Sequence, residues 1–398
     1  MGLFRQRPAV GIGIDLGTSS VKIVELARGK AGVQLTTYAI ARQSNLLSDG
    51  DTPDGVARAA VLLRAMMQRA GVKNSDVSAA LPILSVFSTV LELPVMPEKE
   101  LAPAVTLMAK SYVPSPLADV VLGWSPIGPP EDLRAPGAAR EVAPVIGHTP
   151  APGPMRTPQS AQNVLVTGTE RAPETRKMQE VFLTAAPRDL VDRYMGLFER
   201  LNLRIGALEI ESFPLARSLI RGDRRPILLV DFGDRTTSFS IVERGYLRIN
   251  QAIDIGGEAL TAAIARTLSL SVEQAEQRKR TEGLAGVSGA DAGASGDAAS
   301  IGAILRPLVM DIVTRAEVVR RLYERKHNRA IAAVQLIGGG AWLPQLATFW
   351  TNVTGLPCEV GNPWRGIAAP SPLTGHLQRL GPSFAVAVGL ALRPFEQG

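Results

Sequence analysis

The sequence predicts an α/β protein in which two similar lobes face each other across a shared cleft, with a small subdomain inserted in the first lobe. The main observation is a pattern that occurs twice. Each copy has an apolar strand, an aspartate, a glycine two residues later, a turn rich in hydroxyl groups and a second strand. The aspartates of the two copies are Asp15 and Asp231. A local plan repeated in two halves of a chain indicates two related lobes that each give one loop to a common site.

The first copy predicts a hairpin whose turn binds an anion. Its turn residues offer backbone N–H groups and hydroxyls, and their small size lets a phosphate approach closely. They are Gly17, Thr18, Ser19 and Ser20. Asp15 cannot bond a phosphate, since like charges repel, but it could hold a hydrated Mg²⁺ that a nucleotide brings with it. The alternative is a surface hairpin whose aspartate and serines only shape the turn.

Composition excludes several classes of function. The 398 residues are long enough for two or three domains, and 45% of them are hydrophobic. The one cysteine, Cys358, rules out an internal disulfide, and the three histidines lack metal-ligand spacing. No stretch approaches about 18 apolar residues, so we expect neither a membrane span nor a secretory signal.

Charge gives no strong indication of a nucleic-acid partner. The net charge is only +6, and the charged residues are scattered. The densest basic cluster is read as a solvated helix face, with an anionic-lipid or nucleic-acid patch as the alternative. Its members are Arg320, Arg321, Arg325, Lys326 and Arg329.

Apolar periodicity predicts strand, strand, strand, helix and strand over 8–82, which suits an α/β lobe. A Pro-, Ala- and Gly-rich stretch further on cannot bury enough apolar surface to order itself, and 283–300 reads as a flexible loop. The predicted divisions are a tail at 1–7, the first lobe at 8–82 and 187–225, the inserted subdomain at 83–186 with its disordered loop at 127–176, and the second lobe at 226–380. A smaller part of the second lobe at about 258–310 and a return to the first lobe at 381–398 are implied only by resemblance to a known family.

Two strand-to-helix junctions add candidate site residues. Glu211 stands where a predicted strand ends and a helix opens, which suits either a residue facing a cleft or a carboxylate at a helix N-terminus. Gly338, Gly339 and Gly340 remove every side chain from a second junction, where an adenine ring or a phosphate could lie. The alternative there is a tight structural turn. No Walker motif or complete dinucleotide fingerprint is present.

With these features in order, the chain resembles the actin-like ATPase superfamily, and within it the family of the type IV pilus assembly protein PilM. Asp15–Ser20 and Asp231–Ser238 resemble the two phosphate loops, and Gly338–Ala341 resembles the adenosine loop. The motifs that suggest the family in particular are Asp15–Leu26, Ala109–Val121, Glu211–Arg217, Asp254–Thr261 and Leu270–Ala275. The resemblance implies two ribonuclease-H-like lobes around a nucleotide cleft, with an inserted subdomain placed as in the cell-division protein FtsA.

The resemblance also implies cofactors and site residues. ATP would bind with Mg²⁺, which Asp15 and Asp231 would hold through water. Glu211 would orient the attacking water in a catalytically active relative. The remaining implied ligand-binding residues are Gly17, Thr18, Ser19, Ser20, Lys22, Gly233, Thr236, Thr237, Gly256, Gly257, Glu276, Lys279, Gly338, Gly339 and Gly340. Lys22 could reach a phosphate or simply face solvent.

The expected partner is the short cytoplasmic N-terminal tail of the inner-membrane protein PilN, held as an extended peptide near the inserted subdomain. The protein would lie in the cytoplasm at the inner membrane and reach the membrane only through partners. It would contact other platform or motor components and support twitching motility, and it could form a homo-oligomer. Asp234 and Arg235 depart from the small residues usual in the second turn. Arg235 could clamp a phosphate or block it, and Asp234 adds a charge that opposes it, so the two residues count against fast hydrolysis more than against ATP binding.

Two other functions fit the same superfamily. An FtsA-like division filament protein would carry a long C-terminal amphipathic membrane helix, whereas Pro394 stops any helix here. A small-molecule kinase would need a set of sugar-binding carboxylates, which the sequence does not show; phosphorylation of a sugar panel would decide it.

Overall fold

The computed structural model describes residues 10–30, 32–42, 53–128, 177–285 and 296–396. The strands are β1 (Val10–Leu16), β2 (Ser20–Gly29), β3 (Gly32–Arg42), β4 (Asp76–Leu81), β5 (Phe87–Pro94), β6 (Val120–Ile127), β7 (Met178–Pro187), β8 (Arg204–Ile210), β9 (Ile227–Phe232), β10 (Thr237–Glu243), β11 (Tyr246–Ile253), β12 (Ala333–Ile337) and β13 (Cys358–Val360). The helices are α1 (Pro53–Ala70), α2 (Glu98–Tyr112), α3 (Arg188–Arg200), α4 (Ser212–Leu219), α5 (Gly257–Leu268), α6 (Val272–Glu282), α7 (Gly296–His327), α8 (Leu346–Thr354) and α9 (Thr374–Leu392).

Two five-stranded sheets share one topology. The first has the order β3-β2-β1-β4-β8 and the second β11-β10-β9-β12-β13. In each, three antiparallel strands joined by short turns continue into two strands that run parallel to the first. The same plan built twice places the turns β1–β2 and β9–β10 at equivalent positions of the two lobes.

The first sheet is covered on both faces. Side chains alternate along a strand, so Val21 and Ile23 of β2 join the apolar cluster that contains α1 and α3, whereas Val24 and Leu26 join the cluster that contains α9. The second sheet has its own core with α5, α6, α7 and α8. Each lobe therefore has a rigid apolar base from which its hairpin turn projects.

A third sheet, β5-β7-β6, forms a separate antiparallel unit. Helix α2 packs on it through Leu101, Val105 and Ala109, which share a small apolar core with Leu91 and Leu183. We call β5, β7, β6 and α2 the three-stranded unit. It occupies the part of the chain where an inserted subdomain was predicted.

Helix α9 crosses beneath the first hairpin at very short range. A Cβ at Gly13 would lie 2.0 Å from the Ala387 carbonyl oxygen, and one at Gly389 would lie 1.8 Å from the Pro214 carbonyl oxygen. The missing side chains let α9 lie directly against β1 and α4. This contact fixes the base of the cleft.

The predicted elements of the first lobe are confirmed in type and order, as is the helix capped by Ser271, whose reciprocal bonds with Gln274 complete a capping box. The loop predicted at 283–300 is wrong at its end, because α7 begins at Gly296. The tail at 1–7 lies outside the described residues, as do residues 129–176 of the disordered loop predicted at 127–176. The start of that prediction is wrong, because Ile127 is the last residue of β6. The subdomain boundaries remain predictions.

Candidate functional site

The first hairpin holds a buried ion pair. Asp15 and Lys22 stand opposite each other in the β1–β2 register, and Lys22 Nζ lies 3.0 Å from Asp15 Oδ2. The Lys22 side chain is only 10% exposed, so the alternative in which it faces solvent is wrong. Gly17 keeps the turn open above the pair, since a Cβ there would lie 3.3 Å from Lys22 Nζ.

The second hairpin carries an aspartate with no cation opposite it. Ser238 takes the place that Lys22 has in the first hairpin. Burial raises the pKa of Asp231 to about 6, and the charge of Asp15 adds to the rise while Lys22 opposes it. The charges of Asp15 and Lys22 on the first hairpin thus both influence Asp231 on the second, which supports the prediction that the two hairpins share one cleft.

Glu211 joins this pair of aspartates. It precedes α4, and its Oε2 accepts a hydrogen bond of 3.2 Å from the backbone N–H of Ile83. Burial raises the pKa of Glu211 to about 8, helped by the charges of Asp15 and Asp231. Three acidic groups from three elements thus influence one another's ionisation, and a cation bound near the two aspartates would favour their charged forms.

The second turn is shaped by backbone contacts. Gly233 donates to the Thr236 carbonyl at 2.9 Å, which closes the turn, and Gly256 packs on Asp234 so tightly that a Cβ would lie 2.4 Å from its carbonyl oxygen. Thr237 is buried and donates to the Ile255 carbonyl at 2.6 Å. In this structure the Thr237 hydroxyl therefore ties the turn to the start of α5.

Lys279 and Glu276, predicted near a ribose, lie together on α6. Lys279 Nζ is 2.6 Å from Glu276 Oε2 and donates to the Gly257 carbonyl at 2.9 Å and to Thr261 Oγ1 at 2.7 Å. Hydrogen bonds from Lys279, Thr261 and Arg280 outweigh the opposing effect of burial and lower the pKa of Glu276 to about 2. This group anchors the N-terminus of α5 beside the second turn.

The three glycines after β12 differ in what surrounds them. A Cβ at Gly338 would lie 2.4 Å from Asp231 Oδ1, and one at Gly340 would lie 2.6 Å from the Phe232 ring. Both positions therefore allow close packing on β9. A Cβ at Gly339 would meet no atom within 4 Å, so the space beside it is open. The loop lies next to Asp231, which brings the third predicted feature to the same cleft.

The two departures in the second turn, Asp234 and Arg235, interact with other residues of the second lobe. Arg235 is exposed and pairs with Asp254 at 3.3 Å. Burial raises the pKa of Asp234, and nearby Lys279 opposes that rise. Arg235 makes no ion pair with Asp15 or Asp231 within the described part of the chain.

The carboxyl groups fit a hydrated divalent ion better than a directly ligated one. Among the described residues, no group of three or more His, Cys, Asp or Glu side chains is placed to hold a metal ion. Asp15 is already bonded to Lys22, and Asp231 has no ion-pair partner among the described residues. Two such carboxylates suit Mg²⁺, because this ion usually keeps several of its waters and completes its coordination shell with phosphate oxygens.

The basic cluster of α7 is largely engaged in ion pairs. Arg320 pairs with Glu317 and Glu324, Lys326 with Glu92 and Glu180, and Arg329 with Glu243. These contacts favour a structural role for three of the five cations.

Sequence reasoning missed two residues of the site. Tyr194 of α3 is fully buried, and burial together with the charges of Glu211 and Asp15 raises its pKa. Asn250 of β11 accepts a 2.7 Å hydrogen bond from Ser212, the neighbour of Glu211. An aromatic residue on a helix face and an asparagine in a strand gave no sequence signal. Thr261, which bonds to Glu276 and Lys279, was also not predicted as a site residue. It did have a sequence signal, because it is the last residue of the motif that starts at Asp254.

These observations define a protein with the actin-like ATPase fold. Solved structures agree with that architecture. A PilM-PilN type IV pilus biogenesis complex matches with a TM-score of 0.73 and 24% identity over 96% of this chain and 98% of that chain. The ethanolamine utilization protein EutJ from Carboxydothermus hydrogenoformans matches with a TM-score of 0.51 and 14% identity over 97% and 90% of the two chains. MreB5 of Spiroplasma citri bound to ADP matches with a TM-score of 0.50 and 13% identity over 98% of both.

The chain belongs to the family of the type IV pilus assembly protein PilM, whose model matches residues 13–138 and 167–395. The cell division protein FtsA of Agrobacterium fabrum is 29% identical over 180 residues, which is 42% of this chain. That match spans 39% of the length of this curated relative. Within the described residues, no helix is both long and apolar enough to cross a membrane.

Proposed function

We propose that the chain binds ATP with Mg²⁺ between its two lobes and acts as a nucleotide-binding scaffold of the type IV pilus assembly platform. The observation that supports this most is the convergence of two equivalent hairpins, with Asp15 and Asp231 acting on each other electrostatically. Two facing turns rich in N–H and hydroxyl groups suit a chain of phosphates, and the two aspartates suit its metal ion.

Each part of the cleft would hold one part of the ligand. The turn Gly17–Ser20 would line the phosphates from the first lobe, and Gly233 and Thr236 would do so from the second. Open space beside Gly339 would take the adenine ring. Mg²⁺ would neutralise phosphate charge, while Lys22 holds Asp15 in a fixed position.

The protonation state of Glu211 favours nucleotide binding over fast ATP hydrolysis. A carboxyl group with a pKa of about 8 is mostly protonated near neutral pH. A protonated carboxyl cannot accept a proton from an attacking water, so hydrolysis would need a cation or a movement that lowers this pKa first. The chain would then use the nucleotide mainly as a structural ligand, which stabilises the closed form by mass action.

The test is calorimetric titration of the wild-type chain and of Gly339→Leu with Mg-ATP. Because a Cβ at position 339 meets no atom within 4 Å, the variant should fold normally while its side chain fills the space for adenine. We expect binding by the wild type and an affinity at least about tenfold weaker in the variant. Absence of wild-type binding would contradict the proposal, and equal binding would contradict the placement of adenine.

The pilus role is supported by family membership and by the likeness to a PilM-PilN complex. We propose that the N-terminal cytoplasmic tail of PilN is the partner, bound as an extended peptide beside the three-stranded unit. The same proposal has four further parts. The chain would contact other platform or motor components, support twitching motility, associate with itself and lie in the cytoplasm at the inner membrane.

The partner is tested by adding the PilN tail peptide of the same source and a scrambled peptide to the chain. A ligand that binds only the folded state raises the melting temperature. We expect a shift with the native peptide alone. No shift at saturating peptide would contradict the proposed partner and leave the nucleotide proposal standing.

A further inference from the structure

One strand of the second lobe contacts the three-stranded unit and the first lobe at once. Strand β11 is the outer strand of its sheet and lies against β5, β6 and α4. Three of its residues contribute side chains to these contacts, and we call them the β11 contact residues. They are Tyr246, Arg248 and Asn250.

The first two hold the three-stranded unit in place. A Cβ at Gly128, just after β6, would lie 2.9 Å from the Tyr246 hydroxyl, so the tyrosine side chain lies directly against the end of β6. Arg248 pairs with Glu180 of β7 at 2.7 Å and with Glu243 at 3.3 Å, and its side chain is 1% exposed. The β10–β11 register shifts beside Arg248, and such a bulge re-aims a side chain.

The third, Asn250, joins three parts of the molecule through three serines. Its Oδ1 accepts hydrogen bonds from Ser212 of α4 at 2.7 Å and from Ser240 of β10 at 3.0 Å. Its Nδ2 donates to Ser88 of β5 at 3.4 Å. Ser212 directly follows Glu211 in the chain.

Ion pairs at the end of α7 support the same contact. Lys326 lies 2.8 Å from Glu92 of β5 and 2.9 Å from Glu180 of β7. Glu180 therefore receives a cation from β11 and another from α7, both elements of the second lobe. The three-stranded unit is thus held to the second lobe by a charge network, although its chain connections lead to the first lobe.

We infer that Asn250 is a positioning residue that couples the cleft to the three-stranded unit. This inference rests on the proposed nucleotide binding. A ligand that draws the two lobes together acts on α4 and β11, and Asn250, a residue of β11, bonds to α4 and to β5. Ligand in the cleft therefore tightens the seating of the three-stranded unit, and a partner on that unit changes nucleotide affinity by the same factor.

The three serines allow each connection to be cut separately with a small substitution. Ser88→Ala removes the bond to the three-stranded unit, and Ser212→Ala removes the bond to the first lobe. Ser240→Ala is the matched control, because it removes a bond to the same Asn250 oxygen from within the second lobe. Each variant is titrated with Mg-ATP, and amide hydrogen exchange of β5 and β7 is measured with and without saturating nucleotide.

We expect nucleotide to slow exchange of β5 and β7 by about fivefold or more in the wild type and in Ser240→Ala. Ser88→Ala and Ser212→Ala should lose at least half of that response, although a variant that is only less stable would shift exchange equally in both states. An equal response in all three variants overturns the inference and leaves nucleotide binding intact. Failure of the wild type to bind nucleotide overturns the inference and the proposed function together.

Discussion

The two hairpins of the cleft share a backbone plan and differ in charge. In the first, Asp15 faces Lys22 across the strands and forms a buried ion pair. In the second, Asp231 faces Ser238, and burial raises its pKa to about 6. The first lobe thus neutralises its aspartate from within, whereas the second leaves its aspartate to be neutralised by a proton or by a ligand. Because of this difference, we expect the second hairpin to respond more strongly than the first to pH and to a bound ligand.

The hairpins also differ in what lies beneath them. Strand β1 has glycines at positions 11 and 13, where β9 has Ile227 and Leu229. The glycines admit α9 at backbone contact distance, whereas the side chains of β9 fill an apolar core. The first hairpin is therefore held by a close helix contact and the second by side-chain packing.

The largest expected effect comes from removing the cation of the first hairpin. Lys22→Met leaves Asp15 buried and unpaired, so we expect a loss of about 3–5 kcal/mol in the free energy of unfolding. The matched control is Arg204→Met, which breaks the exposed cross-strand pair with Asp76 in the same sheet and should cost less than about 1 kcal/mol. Denaturant unfolding measures both. Equal losses would contradict the role given to the Lys22 pair.

The next effect is a fall in ligand-free stability as pH rises. Glu211 binds its proton more tightly when folded, since its pKa rises from 4.5 to about 8. The folded state therefore loses stability as pH increases through that interval, by about 2–4 kcal/mol. Denaturant unfolding at pH 5 and pH 8 measures the fall, and Glu211→Gln should reduce it. A stability that rises over this interval, or an unchanged slope in the variant, would refute the account.

A smaller effect is expected from filling the glycine contact of β1. Gly13→Ala places a Cβ 2.0 Å from the Ala387 carbonyl oxygen, and we expect overpacking to cost about 1–3 kcal/mol. Gly196→Ala in α3 is the control, because its Cβ meets no atom within 4 Å and a helix favours alanine. Thermal unfolding compares the two. A neutral Gly13→Ala would show that α9 does not rest on β1 as described.

Much of this architecture could be predicted from local pattern. Alternating apolar residues and turn glycines indicate the hairpins, and Ser271 with Gln274 indicates the start of α6. The charge state of the cleft could not be predicted, because it depends on which residue stands across a strand. Two alternatives were therefore open for Lys22. The register places it opposite Asp15, which excludes the alternative in which it faces solvent.

Contacts between separate parts of the chain left no local signal. Gly389 meets Pro214 and Asn250 meets Ser88 across more than a hundred residues of sequence. Neither Gly389 nor Asn250 stands out within its own helix or strand. Their roles depend on contacts that form only when the separate parts of the chain pack together. The start of α7 was missed because Gly, Ala and Ser near 296 read as loop residues, although the two alanines in this stretch also favour a helix.

The central claim is that the two hairpins hold one metal-bound nucleotide between them, and the magnesium dependence of ATP affinity tests it most directly. ATP is titrated with Mg²⁺ or with EDTA into the wild type, Asp15→Asn, Asp231→Asn and the surface control Asp76→Asn. We predict that Mg²⁺ tightens binding about 10- to 100-fold in the wild type and the control, and that either cleft substitution abolishes most of this gain. Equal wild-type affinity in Mg²⁺ and EDTA, or full magnesium dependence in Asp231→Asn, would contradict the claim.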